Sequence, residues 1–118
     1  MSTTPSILEA RGKTGKIVFD GQFVELRRTG RGRTTVGKGS KRIPVRSITA
    51  VQWKPAGMFV SGFMQFTIPG GNERTSRPGK ATVAAAQDEN SIVFGKRQMS
   101  EFETIRNAIE RAMVGEPA

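Results

Sequence analysis

Arg31 and Arg33 stand one residue apart in a stretch, residues 29–42, that holds four glycines, five cations and a single valine. Alternate residues of an extended chain project the same way, and a guanidinium grips a phosphate or carboxylate through two parallel hydrogen bonds. The chemistry on offer is anion recognition. Neighbouring cations add diffuse attraction, so the candidate anion- or partner-binding set is Arg27, Arg28, Arg31, Arg33, Lys38, Lys41 and Arg42. The same charges on a solvated loop would confer only solubility, which leaves this set a candidate.

Other chemistries are thinly supplied. The chain has no His, Cys or Tyr, which removes the commonest general base, thiolate metal ligands and every Cys/His or Ser/His nucleophile. Asp88 and Glu89 are adjacent, which suits a turn better than paired acid/base work. Gly12-Lys13-Thr14 ends like a phosphate-binding loop, but Ile7 occupies the first glycine position. Gly30-Arg31-Gly32 opens like a dinucleotide fingerprint, but Thr35 replaces its last glycine. Both matches fail. The expectation is a protein that is not an enzyme, with no metal, no cofactor and no small-molecule substrate.

Charge is unevenly placed along the chain. In the first 54 residues twelve cations face three carboxylates, whereas the remainder balances seven against seven, so the net +9 belongs to one half. An electropositive face follows, and with it an anionic or acidic partner. At 118 residues one domain is expected, burying roughly two-thirds of its unfolded surface. The expected division is a flexible leader over 1–12, a domain over 13–114 and a tail over 115–118. No stretch approaches the ~20 apolar residues of a spanning helix, and no signal-peptide core is present, so a cytoplasmic location is expected.

The elements that must position these residues read mainly as β structure. Ile17-Val18-Phe19 and Phe23-Val24-Glu25-Leu26 flank Asp20-Gly21, a hairpin signal because glycine tolerates the positive φ of a tight turn. Residues 29–42 predict a mobile loop or a short exposed hairpin. Pro44 confines its strand to an edge or a strand start. Residues 48–53 alternate with Thr49, Val51 and Trp53 on one face, and Arg46-Ser47 turn before them. Trp53 reads as a partly buried anchor. The longest β candidate is 58–68, with Met58, Val60, Met64, Phe66 and Ile68 on one side and a bend at Gly62. A further strand is expected over 80–86, closing a hairpin through 87–90 onto 91–95. Within the leader, Ile7-Leu8 could dock as an added edge strand. The chain ends in an amphipathic helix with a Ser100/Glu103 capping box and an apolar stripe of Phe102, Ile105, Ile109, Ala112 and Met113.

Residues 15–21, residues 43–57, Gly62, Asp88-Glu89-Asn90 leading into Val93-Phe94, and a helix centred on Phe102 together resemble DUF4429, a bacterial family of unknown function. The resemblance spans roughly 12–114 and leaves out the loop 30–41. It implies a pleckstrin-homology-like fold: a partly open antiparallel β-barrel of about seven strands capped by one C-terminal helix. It also implies self-association, since bacterial relatives of that fold tend to assemble; a bacterial or a phage origin is compatible with it. The leading functional expectation is a non-enzymatic module for binding a protein partner or copies of itself. The alternative is an electrostatic binder of nucleic acid or an anionic lipid surface through the glycine-rich loop. Aromatics do not interleave with that loop, which argues against base stacking. The short acidic Asp20-Gly21 turn argues against inositol recognition at the first hairpin.

Overall fold

The computed structural model describes residues 7–29, 38–69 and 90–115. Seven strands lie within them: β1 Leu8–Arg11, β2 Gly15–Phe19, β3 Phe23–Thr29, β4 Lys38–Pro44, β5 Ala50–Lys54, β6 Gly62–Thr67 and β7 Ser91–Phe94. One helix follows, α1, Met99–Met113. The strands form two antiparallel sheets, β1-β2-β3-β4 and β5-β6-β7, and among the described residues no continuous ladder closes them into a barrel. The mainly β fold with one C-terminal helix is the one expected.

Alternation builds the first sheet. Ile17, Phe19, Val24, Leu26, Ile43 and Ala10 point into the core, while Lys16, Val18, Glu25 and Arg27 face outward, as a period of two requires. Asp20, Gly21 and Gln22 make the turn between β2 and β3. Gly21 has φ +99°, and the Asp20 carboxylate accepts the Gln22 and Phe23 N–H groups at 2.8 and 2.7 Å. Residues 8–11, within the expected leader, form edge strand β1 with Ala10 fully buried. Strand β4 is the other edge among the described residues, as the missing amide of proline predicts, with Pro44 as its last residue. A 3₁₀ turn, Val45–Ser47, leads on to β5.

In the second sheet Val51, Trp53, Met64, Phe66, Ile92 and Phe94 share the core side. Helix α1 buries Phe102, Ile105 and Ile109 against that core, with Ala112 and Met113 partly covered, so the expected stripe is the one that packs. Phe102 stacks on Phe94 at 4.6 Å, and Trp53 tilts against Phe94 at 5.0 Å with the Arg106 guanidinium 5.0 Å above the indole.

Two expectations are corrected. The strand read over 58–68 begins only at Gly62; Met58, Phe59 and Val60 lie in an exposed bend before it. Backbone crowding sets the boundary, since a Cβ at Gly62 would overlap the Lys54 carbonyl and sit 2.7 Å from the Ala56 nitrogen. The helix starts at Met99, one residue before the expected Ser100 cap, because the 3₁₀ turn Lys96–Gln98 feeds directly into it. Gln98 supplies the local closure instead, its Oε1 accepting the Gly95 N–H at 2.9 Å. The expected strand over 80–86 lies outside the described residues.

Candidate functional site

The β3–β4 ladder divides the predicted basic set between two faces. It pairs Glu25 with Arg42, Leu26 with Lys41, Arg27 with Ser40, Arg28 with Gly39 and Thr29 with Lys38. Arg27 and Arg42 therefore face outward, while Arg28 and Lys41 share the side of Val24 and Leu26. Lys38 opens β4. Arg31 and Arg33 lie outside the described residues.

On the outward face four cations contact carboxylates. Arg11 and Lys16 contact Glu9 at 3.0 and 3.5 Å, Arg27 contacts Glu25 at 2.9 Å, and Arg42 contacts Asp20 at 3.5 Å while lying 4.1 Å over the Phe23 ring. The Arg11 hydrogen bond holds the Glu9 carboxyl below its ordinary range, with Lys16 adding to it. Asp20 is lowered chiefly by the Phe23 and Gln22 amides and further by Arg42. Four cations thus contact three carboxylates across this face, and Lys38, paired with Thr29, holds a register position on the same side.

At the end of the molecule where β1 turns into β2 the balance is different. Thr14 fixes that end: its Oγ1 accepts the Val93 N–H at 3.0 Å, its carbonyl accepts the Thr29 N–H at 3.1 Å, and the neighbouring Lys13 N–H donates to the Val93 carbonyl at 2.6 Å. The β1–β2 turn, the last residue of β3 and strand β7 are thereby tied together. Lys13 continues outward and donates from Nζ to Ser61 Oγ at 2.7 Å, and Lys54 donates from Nζ to the Ser61 carbonyl at 3.1 Å. Two lysines so bracket the base of the β5–β6 loop. The Ala56 N–H, donating to Met99 Sδ at 3.3 Å, fastens the same loop to α1.

An open cleft of about 690 Å³ lies there, lined by Lys13, Lys96, Arg97 and the loop 57–61 among others, with no carboxylate among the described residues that line it. Cations from three segments distant in sequence converge on this end, where β3 also finishes beside Thr14. Lys13, Lys54, Lys96 and Arg97 were outside the predicted set. Their separation along the chain hides them, and the one local signal was Pro55-Ala56-Gly57, a turn signature placed before the apolar run.

The described residues thus define a helix-capped, two-sheet β protein with one cationic end. The family model for DUF4429, a domain of unknown function, matches residues 17–110, and the chain belongs to that family. Neither a curated protein nor a solved structure matches the chain. Among the described residues no helix is long and apolar enough to cross a membrane.

Proposed function

We propose that this protein is a non-enzymatic binding module, pleckstrin-homology-like in kind, that docks an anionic partner surface against the end formed by Lys13, Lys54, Lys96 and Arg97. The observation that carries the reading is the charge contrast between the two surfaces. Carboxylates contact four cations of the outward sheet face, whereas among the described residues none lines the cleft beside Lys13. Cations gathered around a concavity focus positive potential and attract anions over a Debye length. A cytoplasmic setting accords with this, because inner leaflets and nucleic acids both present dense negative charge there.

Inorganic polyphosphate is a neutral choice of probe for this surface. Lys13→Gln/Lys96→Gln/Arg97→Gln should lower its affinity several-fold more than Arg11→Gln/Arg27→Gln/Arg42→Gln, although both variants lose the same charge. Equal losses would mean that only net charge matters and would remove the reading.

A second reading is anion binding by the glycine-rich connection, with Arg31, Arg33, Lys41 and Arg42 as contacts. Its support is the ladder itself, which continues to Thr29 and Lys38 and brings Arg28 and Lys41 to neighbouring positions on one face. Self-association through the sheet edges is compatible with either reading, since β4 and β5 each pair with a single neighbour among the described residues.

A further inference from the structure

Five large apolar side chains are exposed among the described residues, and three of them are consecutive: Met58 at 77%, Phe59 at 94% and Val60 at 54%. Consecutive exposed apolar residues are a liability in water unless something covers them. The apex that carries them is a built turn. The Gly57 N–H donates to the Val60 carbonyl at 2.8 Å, and below it Lys13, Lys54 and Met99 hold Ser61 and Ala56 in place. Lys13, Lys96 and Arg97 share the cleft at its foot.

We infer that the 57–60 apex is an insertion loop for a lipid bilayer bearing anionic headgroups, with Phe59 entering the acyl boundary and Lys13, Lys96 and Arg97 at phosphate depth. The inference rests on the proposed function, since it takes the same end as the contact surface and names its partner. Two features select a bilayer. An apex offers too little area for a stable protein interface, which needs roughly 800 Å² on each partner, whereas a bilayer accepts single apolar side chains without a shaped pocket. Charge supplies the second: an apolar tip above a cationic foot with no carboxylate among its described lining residues is complementary to hydrocarbon beneath a phosphate layer, and lysine stems can lie along that boundary with their ammonium groups in the headgroups. Apolar insertion and Coulombic attraction then act together, and the attachment is peripheral and reversible.

Flotation with vesicles of phosphatidylglycerol and phosphatidylcholine in equal parts, and with phosphatidylcholine alone, tests this. The protein should float with the mixed vesicles at low salt and stay behind with the neutral ones. Phe59→Asp should lower partitioning by roughly tenfold or more. Because the chain contains no cysteine, Phe59→Cys provides a single attachment point for a nitroxide, which should become shielded from a water-soluble nickel chelate on the mixed vesicles. Equal flotation of Phe59→Asp, or a nitroxide that stays fully accessible on bound protein, would overturn the inference. Binding to polyphosphate but to no vesicle would also overturn it and leave the cationic contact end standing. Binding to neither would remove both. A protein that ignores vesicles and dimerises through the apex, with Phe59→Asp monomeric in sedimentation, would assign the tip to a protein contact instead.

Discussion

Thr14 ties the β1–β2 turn to β3 and β7 through one carbonyl and one side chain, so its removal tests how the cationic end is kept in place. The Val93 N–H that it satisfies is buried, and a buried donor without a partner carries its full desolvation cost. Thr14→Val should lower stability by about 1–3 kcal/mol, and Thr14→Ser by less, in urea unfolding followed through the half-buried Trp53. Asp20 supplies a pH dependence. Its carboxyl is below the ordinary 3.8 in the folded chain because the Phe23 and Gln22 amides and Arg42 favour the charged form. A lowered folded value means stability that is fully present above the unfolded value and is lost as pH falls through the folded one. The urea midpoint should therefore drop with pH below about 4. Asp20→Asn, which keeps an acceptor and loses the titration, should flatten that part of the curve.

Helix α1 is the element on which the core closes. Ile109 is fully buried on its stripe, and truncating it to Ala leaves a cavity at the helix–sheet contact worth about 2–5 kcal/mol, measurable by the same unfolding experiment. This stripe was legible in the sequence because a period of 3.6 survives any tertiary context, and so were the Asp20-Gly21 turn and the edge position of β4, which local backbone chemistry dictates. Gly62 was legible as a constraint. The extent of β6 was not, because Met58-Phe59-Val60 is as good a strand pattern as Phe63-Met64-Gln65-Phe66, and only the crossing of Lys54–Ala56 behind Gly62 separates a buried ladder from an exposed apex. The helix start shifted for a related reason: Gln98, positioned by a 3₁₀ turn, satisfies Gly95 before Ser100 can cap anything.

On the scale of the whole molecule, net charge predicted an electropositive surface, and the fold decides where the surplus lies. Strand register interleaves Arg11, Lys16, Arg27 and Arg42 with Glu9, Glu25 and Asp20, while the turns collect Lys13, Lys54, Lys96 and Arg97 at one end with the apolar apex. Linear distance kept those four lysines and arginines from reading as a group. The account is tested most directly by backbone amide chemical-shift mapping as bicelles containing phosphatidylglycerol are added. It predicts perturbations centred on residues 13, 54–61 and 95–98, with the Asp20–Phe23 turn at the far end of β2 silent. Shifts centred on that turn and on the Glu25–Arg42 pairs of the outward face would contradict it.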